Sequence, residues 1–251
     1  MTSASRRPAA EQFGRTAGLY ARSQGRRYPR ETVLRLTDPR PEDRYLDVGT
    51  GPGTLLRLIG PSVAFSVGTD ITPEMLARLD AGGARVPAVR ADAHRLSFAE
   101  GAFTLATCGS VFHHLDRPED AATEVARVLG PGGRFLLVDM AGPEEPERCA
   151  ARDDVESIRD PSHVAILQPS RVRAILEKAG FELVAETPQI DEVRDDVWCE
   201  LADADLDVVR EALRRHESVE GGFVGLRREG DAFVMRRERR YYLGLKRGAP
   251  A

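Results

Sequence analysis

Cysteine is scarce. The 251 residues contain three, Cys108, Cys149 and Cys199, far apart in sequence. An odd number without close pairs supports neither a disulfide framework nor a zinc-finger spacing, and the histidines show no zinc spacing either, so no metal site is expected. A reducing compartment, the cytoplasm, is the expectation. Lysine is scarcer still: of 36 basic residues only Lys178 and Lys246 are lysine. No stretch approaches the ~18 apolar residues of a membrane span. The opening MTSASRRPAAEQFGR has no apolar run of the kind a secretory signal needs. A net charge of -4, from 36 basic and 40 acidic residues, lacks the basic excess of a bulk nucleic-acid binder. No internal repeat is visible. What is present is 41% hydrophobic and 30% charged residues, enough to bury a core in one domain, or in a core domain with a smaller cap.

From Arg44 to Asp139, short apolar runs alternate with helical patterns. Tyr45–Val48, Ala64–Thr69, Pro87–Arg90, Leu105–Cys108 and Arg134–Asp139 read as strands. Gly53–Leu58, Thr72–Asp80 and Pro118–Val128 read as helices, with a short turn near Leu96. Strands spaced by helices predict βαβ units, hence an α/β fold: a Rossmann-like, doubly wound parallel sheet with helices on both faces. Glycines at Gly130, Gly132 and Gly133 stop the third helix and admit a turn into the next strand. Before this core, Glu11–Arg35 forms one or two helices broken by Gly25 and Pro29. After it, Ala141–Pro169 is polar and loosely patterned. Ser170–Ala179 is a helix with Ser170 as its N-cap and Gly180 as its stop. Phe181–Thr187 is a strand, Asp195–Glu217 an acidic amphipathic helix or pair, and Arg240–Lys246 a last strand, alone or in a hairpin with its predecessor. The division expected is an N-terminal helical lid, 1–40, and a main domain, 41–251, with a cap inserted around 140–230.

Charge is uneven. Asp139–Glu220 holds 22 acidic and ten basic residues, and Leu226–Arg247 eight basic and three acidic. Solvated helix faces and an Arg-rich outer strand account for this; an electrostatic face for an anionic substrate is the sharper alternative.

The strongest local signal is Tyr45-Leu-Asp-Val-Gly-Thr-Gly-Pro-Gly53, a strand, a glycine turn and a helix start. Glycine admits positive φ and close backbone approach, and a helix N-terminus offers free N–H groups. The spacing Gly49, Gly51, Gly53, with Thr54 where a dinucleotide fingerprint wants Gly or Ala, departs from that fingerprint. Asp47 beside the turn repels a pyrophosphate and suits an ammonium group. S-adenosylmethionine (SAM) carries an α-amino acid tail and no phosphate. Asp70 ends the second strand, about 20 residues on, where a carboxylate can accept from ribose hydroxyls. Asp92 follows the third and could accept from the adenine amine. Each acid alone is ordinary at a strand end or N-cap; three after successive strands point to a cofactor site.

The segments YLDVGTGPG (45–53), GTDITPEML (68–76), VRADAHRLSF (89–98) and FTLATCGSVFHHLDRPEDAATEVARVLGPGGRFLLVD (103–139) resemble the class I SAM-dependent methyltransferases. The likeness is to the group of ubiquinone/menaquinone C-methyltransferases and small-molecule enzymes of methyltransferase type 11. It implies a seven-stranded sheet with the last strand antiparallel. It implies SAM as cofactor and S-adenosylhomocysteine (SAH) as product. Asp47, Gly49, Gly51 and Gly53 would hold the methionine moiety, Asp70 the ribose and Asp92 the adenine. Ile71 and Met75 would wall the adenine pocket, Ala93 would offer backbone to it, and Cys108–Ser110, with Ser110 the binding residue, would lie beside the amino acid tail. FGRTAGLYARS (13–23) resembles the helix that folds over the cofactor in this group, with Tyr20 and Tyr28 as candidate lid aromatics.

Methyl transfer needs alignment and dryness, and needs a base only where the nucleophile must lose a proton. His113 and His114 follow the fourth strand, at the sheet edge where doubly wound folds bind ligands. Each is a candidate base or orienting group, with a structural hydrogen bond as the alternative. Arg159-Asp-Pro-Ser-His163 resembles a segment recurring in small-molecule members of the group. Asp160 would there orient His163 and Arg159 would hold an anion or enolate; a simple turn is the alternative. The expectation is methyl transfer to a small organic acceptor at oxygen, carbon or nitrogen, in a protein that could form a homodimer. The rivals are non-methylating chemistry or a regulatory role on the same fold, RNA methylation, and a nicotinamide oxidoreductase, for which Tyr242 and Lys246 mimic a catalytic pair in an unsuitable strand-like segment.

Overall fold

Strand β1, Arg44–Val48, forms the middle of the sheet because its side chains are apolar on both faces. Leu46 and Val48 enter one core cluster with Phe135, Leu137 and the helices at 118–128 and 169–178. Tyr45 enters the cluster on the other face, with Val33, Leu36, Leu56 and Ile59. This period-2 alternation, with apolar residues both ways, is what a strand covered by helices on both sides requires. Each such side chain removed from water contributes about 1.5–3 kcal/mol.

A computed structural model describes residues 6–22, 27–79, 86–216 and 225–248. The expected helix break at Gly25 and the expected helix ends at Asp80 and Glu217 lie outside them. Two helices, α1 (Arg6–Arg22) and α2 (Arg30–Thr37), precede β1. Then follow α3 (Thr54–Ile59), β2 (Phe65–Asp70), α4 (Pro73–Leu76), β3 (Ala88–Arg90), β4 (Phe103–Gly109), α5 (Pro118–Val128) and β5 (Leu129–Met140). The remainder is α6 (Pro146–Arg159), α7 (Pro169–Lys178), β6 (Phe181–Arg194), α8 (Asp195–Glu200), α9 (Leu206–His216), β7 (Arg227–Glu229) and β8 (Ala232–Lys246). The sheet order is β3-β2-β1-β4-β5-β8-β6, with β7 pairing on β8. β1 to β5 are mutually parallel, and β8 runs antiparallel to both β5 and β6. Seven strands make the expected path, and the eighth, β7, forms a short hairpin with β8. No described helix is long and apolar enough to cross a membrane.

The last third differs from its sequence reading in three places. Ala141–Pro169, which looks loose, contains the 14-residue helix α6, opened by Pro146 in the first turn, where a missing N–H costs nothing. Helix α7 begins at Pro169 with Gln168 as N-cap; Ser170, the expected cap, instead hydrogen-bonds Glu144. β6 runs on to Arg194 and β8 starts at Ala232, so both overhang the carboxyl end of β5, where β5 stops pairing at Met140↔Arg239. The overhang carries a third core of Val155, Trp198, Val209, Leu213, Phe233 and Met235. Buried Asp195 locks it, accepting from Arg210 Nε at 2.6 Å and from Phe233 N at 3.1 Å. This cap stands over the carboxyl edge of the sheet, the edge at which doubly wound folds bind ligands.

Candidate functional site

The glycine turn leaves β1 at Gly49, whose φ is +63° and whose hypothetical Cβ would sit 2.3 Å from Val111 Cγ2. Only glycine meets both constraints. Gly51 and Gly53 also have positive φ. The turn is pinned to β2 by Thr50 N to Thr69 O at 2.8 Å. Beneath it lies the buried carboxylate of Asp47, which accepts from Thr107 Oγ1 at 2.6 Å and Thr50 Oγ1 at 2.7 Å. Burial pushes this carboxyl up to about 6, the two hydroxyls holding it from going further. Asp70, at the end of β2, accepts from Gly51 N and from Thr72 N, both at 2.9 Å. It thus ties the glycine turn to the second strand, and burial raises its carboxyl too, despite those donors.

One cavity gathers these groups. Its empty volume is about 1180 Å³, the open mouth included. Asp47, Gly49, Gly51, Asp70, Ile71, Met75, Asp92, Ala93 and Ser110 all line it. Gly53 caps helix α3 immediately behind. Gly109 and Ser110 face the cavity, whereas Cys108 points into the core between β4 and α5. At the far end from Asp47, His94 closes the wall: its Nδ1 is 2.7 Å from Asp92 Oδ1 and its Nε2 3.2 Å from Asp116 Oδ1. Ser110 is a non-glycine residue at φ +57°, with its hydroxyl 3.0 Å from Tyr28 Oη. Backbone strain at such a place is commonly functional. Along the glycine turn and the ends of β1, β2 and β3 the charged lining groups are carboxylates, and Arg27 is a guanidinium of the same lining. Carboxylates there repel a pyrophosphate and accept from ammonium, hydroxyl or amine donors.

Comparison with known proteins agrees. Residues 46–137 match the methyltransferase-domain family. The ubiquinone/menaquinone biosynthesis C-methyltransferase UbiE of Ectopseudomonas mendocina is 30% identical over 180 residues, covering 61% of this chain and 70% of the relative. The chain belongs to the class I SAM-dependent methyltransferases. YcgJ of Bacillus subtilis, described as an uncharacterized methyltransferase, is 35% identical over 137 residues, which span 53% of this chain and 54% of YcgJ. Its crystal structure superposes with a TM-score of 0.81 at 25% identity, over 88% of this chain and 98% of YcgJ. BH2331 of Bacillus halodurans C-125, described at family level as a methyltransferase, gives 0.82 at 26% identity over 87% of this chain and 99% of the other.

The three histidines named from sequence occupy one stack in this methyltransferase. His114 lines the cavity; His113 packs on it with ring centroids 4.0 Å apart, and His163 on His113 at 5.8 Å. His113 and His163 are buried and are not among the lining residues. His113 Nδ1 lies 2.5 Å from Asp139 Oδ1. Burial works to raise the Asp139 carboxyl, but His113 and backbone N–H groups outweigh it and hold it below its usual range. The expected partnership of His163 with Asp160 is not the one formed: His163 Nε2 is 2.7 Å from Asp153 Oδ1, while Asp160 Oδ1 accepts from the backbone N and the hydroxyl of Ser162. Arg159 is not among the lining residues of the cavity; it pairs with Glu156 at 3.1 Å and stacks on Trp198 at 4.8 Å. His114 Nδ1 is 2.9 Å from Ser162 O. A carbonyl only accepts, so Nδ1 carries the proton and Nε2 keeps its lone pair. Burial, helped by His113, pushes the His114 imidazole well below its ordinary range, so it is neutral at physiological pH.

Tyr20 and Tyr28, the aromatics named from the lid segment, both line the cavity. Sequence reasoning missed Phe13, Arg27, His94 and Asp116, which line it as well. Tyr242 and Lys246 serve elsewhere: Tyr242 packs in the core and Lys246 Nζ donates to Leu129 O. Among the described residues no group of three His, Cys, Asp or Glu side chains is arranged to hold a metal ion.

Proposed function

We propose that this protein moves the methyl group of SAM to a small organic acceptor at oxygen, carbon or nitrogen, the acceptor lying between Ser110 and the lid. The observation that carries the reading is the continuity of one cavity, from the carboxylates at the strand ends to the aromatic side chains of Phe13, Tyr20 and Tyr28. SAM, when bound, supplies a methyl group already activated on a sulfonium. Asp47 and the glycine turn would hold the amino acid tail, Asp70 the ribose, and Ile71, Met75, Asp92 and Ala93 the adenine. What remains for the protein is alignment and exclusion of water. Helix α1 contributes Ala9, Phe13 and Tyr20 as a dry cover.

His114 is the group placed to touch the acceptor. Its neutral Nε2 can accept a hydrogen bond from a nucleophilic O–H or N–H and align its lone pair. The Ser162 carbonyl fixes the imidazole's tautomer, and the Ser162 hydroxyl, which donates to Asp160, lies 3.1 Å from the same Nδ1. His113 and His163 back the ring, held in turn by Asp139 and Asp153, and act as positioning residues. The name of the UbiE relative puts a carbon nucleophile among the first acceptors to test. Calorimetric titration with SAH, NAD and NADP tests the cofactor assignment. SAH alone should bind; preference for a dinucleotide would overturn it.

A further inference from the structure

The lid end of the cavity contains a guanidinium with no ion-pair partner among the described residues. Arg27 lines the cavity and lies over the Tyr20 ring at 5.3 Å. Tyr20 meets Phe13 edge-on at 5.5 Å, and Phe13 meets His114 edge-on at 4.8 Å. Arg27 Nε is buried without a hydrogen-bond partner, and among the described residues no carboxylate lies within ion-pair distance of the side chain. The charged groups around it are committed elsewhere. Asp139 holds His113; Glu156 holds Arg159 at 3.1 Å; Asp191 holds Arg237 at 2.7 Å and lies 3.9 Å from Arg239. Arg239 approaches only the Arg27 carbonyl, at 3.3 Å.

Arg27 is half-buried and its buried Nε lacks an acceptor, which an anion brought by a ligand supplies. The planar fork of a guanidinium matches the two oxygens of a carboxylate. Around it the walls are aromatic faces, which take an apolar body. We propose that the acceptor carries a carboxylate on an aromatic or otherwise apolar body, and that Arg27 selects it. This deepens the methyl-transfer reading and rests on it. The amino acid tail of the cofactor is the other source of a carboxylate, since Tyr28, next to Arg27, lies 3.0 Å from Ser110; the packing of Arg27 on Tyr20, with Phe13 and His114 beyond it, favours the acceptor, and the 5′-methylthioadenosine comparison below separates the two.

The test uses the full chain saturated with SAH and two probes of equal shape, 2-naphthoate and 2-naphthamide, titrated calorimetrically. The acid should bind at least about tenfold tighter than the amide, as a charge-assisted hydrogen bond implies. Arg27→Gln should abolish that preference and Arg27→Lys should keep part of it. SAH and 5′-methylthioadenosine, which lacks the amino acid tail, should bind Arg27→Gln within about twofold of the unmutated protein, which also shows that the variant is folded. Equal binding of acid and amide, or binding of neither, overturns the proposal. A variant that loses SAH affinity but not 5′-methylthioadenosine affinity overturns it too, by assigning Arg27 to the cofactor's carboxylate. Failure of the unmutated protein to bind SAH would instead defeat the methyltransferase reading beneath it.

Discussion

Asp47 should make cofactor binding depend on pH. Its side chain is buried, lines the cavity and keeps its proton up to about 6 in the ligand-free protein, against 3.8 for an exposed carboxyl. An ammonium group placed beside it favours the ionised form. If only that form binds well, SAH affinity should be nearly full at pH 7, half at pH 6 and about tenfold weaker at pH 5. The same shift bears on stability. The folded carboxyl holds its proton more tightly than the unfolded one, so this contribution is fully present below pH 3.8 and is lost as pH rises through 6. The loss is about 3 kcal/mol at most, at 1.36 kcal/mol per unit. Asp47→Asn removes the charge but leaves one of the two threonine hydroxyls without its acceptor, so only part of that is regained, a few degrees in Tm at pH 7. Calorimetry with SAH from pH 5 to 8, with melting curves of both proteins, reads both effects. A variant melting higher than the unmutated protein but binding SAH weakly and without pH dependence is the expected result. Unchanged SAH affinity between pH 5 and 7 in the unmutated protein would refute the reasoning.

Three further outcomes follow from the same geometry. Asp70→Ala should abolish measurable SAH binding, because it removes both the ribose acceptor and the tie to Gly51 N, whereas Asp70→Asn, which keeps one acceptor oxygen, should retain a weakened fraction; equal binding by the two variants would show that Asp70 does neither. Gly49→Ala, with its Cβ driven against Val111 at positive φ, should cost about 1–3 kcal/mol of stability and be partly rescued by Val111→Ala; a melting temperature equal to that of the unmutated protein would contradict the turn's geometry. His114→Ala should leave SAH affinity within about twofold and lower kcat about twofold to tenfold, through loss of a neutral hydrogen bond worth ~0.5–1.5 kcal/mol; the rate should show no inflection from His114 between pH 5 and 8, and an inflection abolished by this variant would contradict the neutral imidazole.

The first half of the fold is legible because its central strands, β1 and β4, are short and largely buried and the strands there are punctuated by glycine or proline. The three cavity acids are legible for the same reason: Asp47 and Asp70 lie at the carboxyl ends of β1 and β2, and Asp92 just beyond β3. Legibility fails where pairing replaces pattern. β6 contains Pro188 and alternates charged with apolar residues, which reads as a strand followed by a loop; it is the edge strand, pairing only with β8, and an edge tolerates proline and solvent-facing charge. Asp160 is the nearest carboxylate to His163 in sequence, but Asp153, one turn and more back along helix α6, is the one that meets it in space. Arg27 and His94 belong to no spacing motif, and only the closing of helix α1 and the β3–β4 connection over the sheet edge brings them to the cavity.

The central claim is that methyl transfer to a small acceptor takes place in this cavity. The most direct test is incubation with methyl-deuterated SAM and a panel of small aromatic acids, phenols and amines, followed by mass spectrometry, with Asp70→Ala as the control. A product heavier by one labelled methyl group, formed together with SAH and absent with the variant, is expected. SAH-site binding without any label transfer across the panel, or a product of unchanged mass, would contradict it and turn the fold to non-methylating chemistry.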